Sequence, residues 1–301
     1  MAARDRLKRV RSHPRVNSAA ALPLRAVMRL LGNESEFVIK HLPRVGLVSA
    51  DLPNGRTLRL VTRGNDWIPN QVFWRGWRGY EPDVSPVFFE LARRARVVLD
   101  VGANIGFYSL LAGHANPTGH VFGFEPLRGP LEAFERNVAA NGLQNVDVVP
   151  AAAGAASGYE TFYFTRESQV PSSSSLSYEF MKSVPALDSH AVRVVRLDDF
   201  VSERRLDVDL IKIDTESTES RVLEGLQETL ERDRPHIVLE MLDSPAANPE
   251  AIDRLTRPLG YQPRLLSLGG DFVGCPTVVG VVGNIHFVPP AMVSTSPPKA
   301  R

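Results

Sequence analysis

The chain has 301 residues, of which 43% are hydrophobic and 23% are charged, and its formal net charge is +1. These values predict an ordinary globular core, and they argue against a nucleic-acid partner because general nucleic-acid binders are strongly basic. Cys275 is the single cysteine, which excludes a disulfide framework and a thiolate zinc cluster. We therefore expect a reducing, cytoplasmic setting, and no apolar run in the sequence is long enough to span a bilayer.

The first 70 residues are predicted to form an extension ahead of the main domain. Lys and Arg are concentrated in residues 1–44, and the apolar residues of 24–31 recur at helical spacing. Residues 45–62 contain two strand-like runs around a Pro-Asn-Gly turn, which predicts a β-hairpin. A basic helix could contact an anionic membrane. We favour the alternative, in which a basic arm leads into a helix that docks on the main domain.

From Val97 onward, strand and helix patterns alternate. Strands are predicted at 97–101, 120–124, 146–149, 208–213 and 236–240, with helices between them that include 127–141 and 218–231. The strands are near-continuous aliphatic runs, as expected where helices cover both faces of a sheet. The pattern predicts an α/β fold with a doubly wound, mostly parallel sheet over residues 71–290.

Several segments depart from this alternation. Residues 74–82, rich in Trp and Gly, predict a loop ahead of a helix that ends near Leu91. Two extra strand-like runs occupy 159–164 and 191–200. The serine-rich segment 168–189 between them predicts a loop. Residues 260–288 predict an antiparallel hairpin at one sheet edge, and the tail 291–301 is predicted to be disordered.

A glycine-containing turn follows the first strand of the alternating pattern. In "VLDVGANIGF", Gly102, Asn104 and Gly106 come directly after the strand and before a predicted helix. Glycine allows a tight turn and a close approach to a ligand, and open parallel sheets bind ligands beyond the carboxyl ends of their strands. Glu125 ends the next strand, where a carboxylate can accept hydrogen bonds from both ribose hydroxyls of an adenosine cofactor. The sequence therefore predicts an adenosine-cofactor site at this edge.

The residues of this turn distinguish between two kinds of adenosine cofactor. The dinucleotide fingerprint is G-x-G-x-x-G, whereas here Asn104 occupies the place of the second glycine and Phe107 that of the third. Asp100, just before the turn, would repel a phosphate and favour a cation. A sulfonium nucleoside, S-adenosylmethionine, therefore fits better, and an NAD(P)-dependent oxidoreductase is the alternative.

Several motifs occur together in the order of one known family. They are "VLDVGANIGFYSLLA", "VFGFEP", "NVDVVPAAAG", "VVRLDDF" and "DVDLIKIDTESTESRVLEGL", with "GYEP" upstream and "GNIHFVP" near the end. Through them the chain resembles, over residues 74–288, the FkbM family of class I S-adenosylmethionine-dependent methyltransferases. The resemblance implies a Rossmann-like sheet of seven strands with an antiparallel last strand. It also implies methyl transfer to a hydroxyl oxygen of a small molecule such as a sugar, a glycolipid or a polyketide-type metabolite.

The family's cofactor residues can be carried over by motif position. The resemblance implies that S-adenosylmethionine is bound by Tyr80, Glu81, Asp100, Gly102, Ala103, Asn104, Gly106, Glu125, Pro126, Ala152 and Asp214. The glycine-turn residues are expected beside the methionine half of the cofactor, Glu125 beside the ribose and Ala152 beside the adenine. Ser217 departs from the family, because it replaces the glycine of the motif I-D-x-E-G-x-E. We expect Ser217 to cap the following helix.

Two carboxylates are the candidates for catalysis. Asp214 and Glu240 end adjacent predicted strands, so both could reach an acceptor hydroxyl near the transferred methyl group. An alcohol nucleophile needs an in-line approach and a proton acceptor, and we expect one of these residues to be the base. The alternative is that the pair holds a divalent cation, although the sequence predicts no metal site. A non-catalytic relative that keeps the fold as a binding protein is a further alternative.

Overall fold

The structure is a computed structural model, and it describes residues 21–27, 38–39, 42, 44–64, 66–165, 174–184, 186–244, 246–268 and 272–290. The basic arm predicted for residues 1–20 and the tail predicted for 291–301 lie outside the described residues. Residues 21–27 are helical and form α1, which agrees with the first part of the helix predicted there. No helix of the described residues is long and apolar enough to cross a membrane.

The strands and helices of the described residues are given first. The strands are β1 (Gly46–Asp51), β2 (Thr57–Thr62), β3 (Val97–Val101), β4 (His120–Phe124), β5 (Val146–Val149), β6 (Ala152–Gly154), β7 (Gly158–Thr165), β8 (Ser174–Ser175), β9 (Leu187–Arg196), β10 (Leu210–Ile213), β11 (His236–Met241), β12 (Gln262–Leu266), β13 (Phe272–Gly274) and β14 (Gly283–Val288). The helices after α1 are α2 (Trp67–Arg75), α3 (Ser85–Ala92), α4 (Phe107–Ala115), α5 (Arg128–Asn141), α6 (Tyr178–Met181), α7 (Leu197–Arg204), α8 (Glu219–Glu224), α9 (Gln227–Asp233) and α10 (Pro249–Thr256).

The central sheet has the strand order β13-β12-β14-β11-β10-β3-β4-β5. Strands β5, β4, β3, β10 and β11 are parallel, whereas β14 runs antiparallel to β11 and to β12. This arrangement confirms the mostly parallel sheet with an antiparallel last strand. The sheet has eight strands rather than seven because the short strand β13 pairs with β12 at the edge.

Helices cover both faces of the sheet, and each face has its own core. One core contains Val98 of β3 and Leu210 of β10 together with buried residues of α2, α3 and α4. The other contains Leu99 of β3 and Ile211 of β10 together with buried residues of α7, α8 and α9. Because neighbouring residues of one strand enter opposite cores, these strands are almost entirely apolar, and Asp100 in β3 and Lys212 in β10 are the exceptions within them. The doubly wound α/β architecture is therefore confirmed.

The predicted hairpin β1–β2 packs against helix α5. Asn137 and Asn141 of α5 accept hydrogen bonds through their side-chain oxygens from the backbone amides of Val61 and Arg59, both at 2.8 Å. Apolar residues of both hairpin strands enter the same core as α2 and α3. The hairpin thus shares a core with the sheet, and the boundary near residue 70 stays a prediction.

A second, smaller sheet has the order β6-β9-β7-β8. It contains the extra strands predicted at 159–164 and 191–200, but the second predicted strand extends four residues beyond the observed end of β9 at Arg196. Residues from Leu197 onward form the helix α7 instead of continuing β9. Asp198 explains this change, because its buried carboxylate accepts hydrogen bonds from the amides of Glu228 and Thr229 at the start of α9. This contact fixes residues 197–200 against α9.

Two other sequence-based expectations need correction. Residues 74–79, expected to be a loop, contain the end of α2 and a 3-10 turn over Trp77–Gly79, because Trp74 and Trp77 are buried in the core. The single helix expected over 218–231 is divided into α8 and α9. The division lies at Gly225, where a Cβ would come within 2.2 Å of the carbonyl oxygen of Gly154 in β6. Close packing against the second sheet therefore interrupts the helix.

Candidate active site

A cavity of about 620 Å³ opens beyond the carboxyl ends of β3, β4, β10 and β11. This is the position at which open parallel sheets bind their ligands. The structure brings most of the predicted site residues to the cavity wall, namely Tyr80, Glu81, Gly102, Ala103, Asn104, Glu125, Pro126, Ala152, Asp214 and Glu240.

Asp100 and Gly106 lie behind this wall and do not line the cavity. The carboxylate of Asp100 is buried and accepts a hydrogen bond from Ser109 Oγ at 2.6 Å, and burial raises the pKa of Asp100 from 3.8 to about 6. A Cβ on Gly106 would lie 2.0 Å from the ring of Phe134, so this glycine permits close packing of α4 on α5. Direct contacts of these two residues with the cofactor stay a prediction, and in the structure both residues serve the packing behind the wall.

The turn after β3 requires glycine at position 102. Gly102 has a φ of +82°, and a Cβ there would lie 1.8 Å from the carbonyl oxygen of Asp214. The amides of Gly102 and Ala103 both donate to the carbonyl oxygen of Phe124, at 3.1 and 2.9 Å. The turn is therefore pressed between the ends of β4 and β10, and no side chain fits between it and Asp214.

Glu125 is held in place by two backbone amides. Its Oε2 accepts a hydrogen bond from the amide of Asn104 at 3.0 Å, and its Oε1 accepts one from the amide of Leu127 at 2.8 Å. Burial raises the pKa of Glu125 from 4.5 to about 7, although these two hydrogen bonds oppose the rise. Each carboxylate oxygen retains a lone pair, so the group can still accept hydrogen bonds from a ligand.

Asn104, beside Glu125, carries unmet hydrogen-bonding capacity. Its backbone has a φ of +51°, a left-handed conformation that asparagine tolerates better than most residues. Its side-chain Oδ1 is buried without a hydrogen-bond partner in the protein. A buried acceptor of this kind costs about 1–3 kcal/mol unless a donor reaches it. The turn therefore suits a ligand that carries N–H or O–H donors.

Asp214 and Glu240 share a hydrogen bond at the ends of β10 and β11. The charge of Asp214, followed by burial and this hydrogen bond, raises the pKa of Glu240 far above 4.5. The fully buried ammonium of Lys212 lies 3.3 Å from Asp214 Oδ2. Glu240 therefore binds a proton more tightly than an isolated carboxyl group does, and Lys212 contacts the other member of the pair, Asp214.

Glu81 joins the segment before α3 to this group of charges. Its Oε2 accepts a short hydrogen bond from the hydroxyl of Tyr108 in α4. Burial raises the pKa of Glu81, and the charge of Asp214 acts in the same direction, whereas Lys212 lowers it. Tyr80 packs edge-on against Phe107 with ring centroids 5.2 Å apart. The element that contains Tyr80 and Glu81 is thus anchored to α4 at the cavity wall.

The turn after β10 is organised by Glu219 rather than by a helix cap at Ser217. Glu219 Oε1 accepts hydrogen bonds from the amides of Thr215 and Ser217 and from the hydroxyl of Thr215, all at 3.1 Å. The N-cap of α8 is Thr218, which makes no side-chain capping bond. Ser217 has a φ of +76°, and its buried Oγ has no partner. The expected capping role of Ser217 is therefore wrong, because its backbone is left-handed and its hydroxyl is enclosed.

Replacing Ser217 with glycine should stabilise the protein. A left-handed backbone strains serine but not glycine, and the change also removes a buried hydroxyl that lacks a partner. For Ser217→Gly we expect the free energy of unfolding to rise by about 1 kcal/mol in urea titrations, after the greater chain entropy of unfolded glycine is subtracted. Ser202→Gly, on the exposed side of α7, is the control and should destabilise. A loss of stability in Ser217→Gly would contradict the account of this turn.

Comparison with known proteins identifies the family. Residues 100–263, more than half of the chain, match the family model described as the methyltransferase FkbM domain. The chain belongs to the FkbM methyltransferase family. The cofactor of this family is S-adenosylmethionine, and membership decides against the NAD(P)-dependent oxidoreductase that the glycine turn alone left open.

Individual relatives cover the chain to different extents. The chain is 27% identical to the 31-O-demethyl-FK506 methyltransferase FkbM of Streptomyces tacrolimicus, over 59% of this chain and 75% of that protein. It is 31% identical to "Methyltransferase 1" of Beauveria bassiana, over 49% of this chain and 65% of that protein. It is 26% identical to the AMB antimetabolite synthetase AmbE of Pseudomonas aeruginosa, over 83% of this chain. The chain spans only 13% of the length of that synthetase.

Solved structures include two methyltransferases with distant similarity. One is the methyltransferase FkbM of Methylobacillus flagellatus, 17% identical with a TM-score of 0.41, aligned over 64% of this chain and 43% of that one. The other is the O-methyltransferase TomG of Streptomyces achromogenes in complex with SAM, 15% identical with a TM-score of 0.40, aligned over 69% and 80%. The family assignment rests on the family model and not on these two structures.

Sequence reasoning overlooked several residues at the site. Lys212 lies within one of the family motifs, but its sequence position alone predicted no role for it. A lysine inside the aliphatic strand "LIKI" is nevertheless an unusual residue for a buried strand. Tyr108 and the exposed Trp67 also line the cavity. Tyr108 resembled an ordinary core residue of a helix, and nothing in the sequence near Trp67 indicated that α2 reaches the cavity.

A three-ligand metal site is not formed by the residues that the structure describes. Within them, no group of three His, Cys, Asp or Glu side chains is arranged to hold a metal ion. The ammonium of Lys212 lies 3.3 Å from Asp214 Oδ2, and Asp214 and Glu240 follow one another across the ends of the paired strands β10 and β11. The Asp214–Glu240 pair therefore contacts a buried ammonium, and its electrostatics favour the binding of a proton.

Proposed function

We propose that this protein transfers the methyl group of S-adenosylmethionine to a hydroxyl oxygen of a small, hydroxylated acceptor. The observation that carries the proposal is the Asp214–Glu240 pair, which lines the same cavity as the glycine turn and Glu125. A carboxyl pair that holds one proton beside the cofactor wall offers a proton acceptor, which an alcohol nucleophile needs and a thioether or carbanion acceptor does not.

The cavity wall fits the cofactor. Glu125 can accept hydrogen bonds from vicinal ribose hydroxyls, and Asn104 offers an unpartnered oxygen to an amino or hydroxyl donor. Gly102 keeps the wall open where any Cβ would collide with Asp214. When bound, the cofactor supplies an electrophilic methyl group on a positively charged sulfur. The carboxyl oxygens of Glu81, Asp214 and Glu240 line the cavity and offer partial negative charge to this cation, a role that the sequence had attributed to Asp100.

Within the pair, we assign the role of base to Asp214. Glu240 binds a proton more tightly than an ordinary carboxyl group, so it can stabilise a proton that Asp214 accepts first. Lys212 keeps Asp214 oriented through its contact at 3.3 Å. Asp214 can therefore accept the acceptor's proton directly, and Glu240 can share it through their common hydrogen bond.

The rest of the cavity favours a polar acceptor with some apolar surface. Hydroxyl groups line it near Asp214, from Thr165, Ser174, Thr215 and Thr218. Trp67 also lines the cavity, and it is 56% exposed, so its ring offers an apolar face to a ligand. A sugar, a glycolipid headgroup or a polyketide-type alcohol combines these two properties.

The direct test is methyl transfer from labelled S-adenosylmethionine to an acceptor. The protein is incubated with the labelled cofactor and panels of sugars, glycolipids and macrolide alcohols, and labelled products are identified by mass spectrometry. We expect a methyl ether, and its formation rate should not change in excess EDTA. A methylated amine or thiol as the product would contradict oxygen as the acceptor atom, and loss of activity in EDTA would contradict the metal-free base.

Asp214→Asn should lower kcat by about 10²–10⁴-fold, because the amide cannot accept the hydroxyl proton. The affinity for S-adenosylhomocysteine, measured by calorimetry, should change far less than kcat. Asp243→Asn, an exposed residue two positions after β11, is the matched control and should retain full activity. Full activity in Asp214→Asn would exclude Asp214 as the base.

A further inference from the structure

Lys212 has only one role in the proposed methyl transfer, which is to orient the carboxylate of Asp214. Its side chain is 0% exposed, although it lies in the middle of β10 among aliphatic residues. Its ammonium lies 3.3 Å from Asp214 Oδ2 and 5.2 Å from the centroid of the Tyr108 ring. A buried ammonium is unfavourable unless it is paired, so its partners determine the state of the whole group.

The groups that surround Lys212 come from every neighbouring element. They are Asp100 opposite it in β3, Glu81 and Tyr80 from the segment before α3, Tyr108 from α4, Asp214 and Glu216 after β10, Glu240 in β11 and Asn284 opposite Glu240 in β14. Lys212 is the single cation among them, whereas five of them are carboxyl groups. One positive charge does not balance five negative ones so close together, and the mutual repulsion of the carboxylates favours protonation of some of them.

The electrostatic effects on the pKa values of these groups agree with that conclusion. Burial alone would lower the pKa of Lys212, but the charge of Asp214 and the other carboxylates outweighs burial and keeps the ammonium protonated. Burial, with the charges of Asp214 and Glu219, raises the pKa of Glu216 to about 8. The charge of Asp214 raises the pKa of Glu240 most strongly. Glu240 therefore binds a proton more tightly than an ordinary carboxyl group, with Asp214 as its neighbour.

We propose that Asp214, Glu240 and Lys212 form one proton-holding unit, which releases a proton when a positively charged ligand enters the cavity and takes a proton back when that positive charge disappears. Lys212 acts as a positioning residue in this unit, since it keeps Asp214 ionised and thereby sets how tightly Glu240 holds the shared proton. The second half of this inference rests on the proposed O-methylation.

The unit accounts for the proton balance of the proposed reaction. As the oxygen–carbon bond forms, the carbon–sulfur bond breaks, its electron pair stays on sulfur, and the hydroxyl proton passes to the Asp214–Glu240 pair. Before transfer the pair is doubly ionised opposite a cation, which makes it a stronger base than a pair that already holds a proton. After transfer the cation is gone, and the pair returns to its singly protonated state. The same site therefore favours the charged cofactor over the uncharged product.

This inference can be tested without knowing the acceptor. S-adenosylmethionine and S-adenosylhomocysteine are titrated separately into the 301-residue protein by calorimetry, in two buffers of different ionisation enthalpy, which gives the number of protons released. At about pH 6.5 the α-amino groups of both ligands are protonated, so they do not contribute to the difference. We expect S-adenosylmethionine to release about one proton more than S-adenosylhomocysteine, so that the ratio of their affinities rises about tenfold per pH unit.

Variants separate the role of Lys212 from a purely structural one. In Lys212→Met the pair should hold its proton more tightly, so the difference in proton release should fall towards zero at the same pH. Lys212→Arg should restore it. Lys182→Met, an exposed lysine in the turn after α6, is the matched control and should behave as the original protein. In Glu240→Gln the difference should vanish, because the carboxyl group that holds the proton of the pair is gone.

The outcomes distinguish this inference from the proposed function. If neither ligand binds, the proposed function fails. If both bind with equal proton release, the proposed function stands and the proton-holding unit is overturned. An undiminished difference in Glu240→Gln, or in a folded Lys212→Met, would also overturn it. Should Lys212→Met not fold, Lys212→Gln makes the same change of charge with a polar side chain, and the comparison of the original protein with Glu240→Gln still decides whether the pair carries the proton.

Discussion

Gly102→Ala should remove most of the protein's free energy of unfolding and abolish cofactor binding. The new Cβ would lie 1.8 Å from the carbonyl oxygen of Asp214, a backbone atom that cannot move without displacing the end of β10. A left-handed backbone adds strain, since Gly102 has a φ of +82°. We expect the free energy of unfolding to fall by about 3–5 kcal/mol, the sum of both effects. Urea titration measures this loss, and calorimetry with S-adenosylhomocysteine measures binding by the folded fraction.

Gly142→Ala separates the collision from the strain. Gly142 also has a positive φ, +62°, but no atom lies within 4 Å of the position that its Cβ would take. In Gly142→Ala the free energy of unfolding should therefore fall only by the cost of backbone strain, about 1–2 kcal/mol, and cofactor binding should be retained. Equal losses in the two variants would contradict the claim that the turn at Gly102 is pressed against Asp214.

Glu125→Gln should weaken binding of S-adenosylhomocysteine by about 10²-fold or more. Hydrogen bonds to an ionised group contribute about 1.5–3 kcal/mol each, and two ribose hydroxyls would lose their charged acceptor. The glutamine amide would also oppose one of the two backbone amides, of Asn104 or Leu127, that now donate to the carboxylate. Glu132→Gln, an exposed residue of α5, is the matched control and should bind normally.

The pH dependence of that affinity identifies the same carboxylate. Because burial raises the pKa of Glu125 to about 7, the group is largely protonated below that pH and accepts fewer hydrogen bonds. Affinity for S-adenosylhomocysteine should therefore rise by up to about tenfold per pH unit towards pH 7 and then level off, and Glu125→Gln should lose this dependence. An unchanged slope in Glu125→Gln would show that another group titrates.

The same shift has the opposite effect on folding. The folded protein binds the proton of Glu125 more tightly than the unfolded chain does, because the pKa rises from 4.5 to about 7 on folding. The contribution of Glu125 to stability therefore falls as the pH rises through this interval. Bound cofactor should offset the loss, since hydrogen bonds from the ribose favour the ionised form. Thermal unfolding with and without ligand across this pH range measures both effects.

The regular parts of the fold could be predicted because their signals are local. The strands at 97–101, 120–124 and 146–149 were placed to the residue, since each is a short apolar run bounded by turns. The order of the strands and the reversed last strand followed from the family resemblance and not from periodicity. The helix α2 was missed because its aromatic, glycine-bounded end resembles a loop in sequence, and the burial of Trp74 in the core is a tertiary effect.

At the site, the sequence predicted where residues lie better than it predicted how their side chains face or which carboxyl groups hold a proton. Gly102, Glu125 and Asp214 were placed at the cavity from motif position alone. That Asp100 and Gly106 lie behind the wall depends on which way each residue faces and on the packing of Ser109 and Phe134. The charge state of Asp214 and Glu240 depends on a shared hydrogen bond and on a lysine buried below them, and neither is visible in a linear pattern.

The central claim is that the cavity at the ends of β3, β4, β10 and β11 binds a sulfonium nucleoside and its thioether product. Calorimetric titration of the 301-residue protein with S-adenosylhomocysteine and, separately, with NAD⁺ tests it most directly. We predict saturable binding of S-adenosylhomocysteine that is lost in Glu125→Gln, and no binding of NAD⁺. Binding of NAD⁺, or binding of S-adenosylhomocysteine that survives unchanged in Glu125→Gln, would contradict the account.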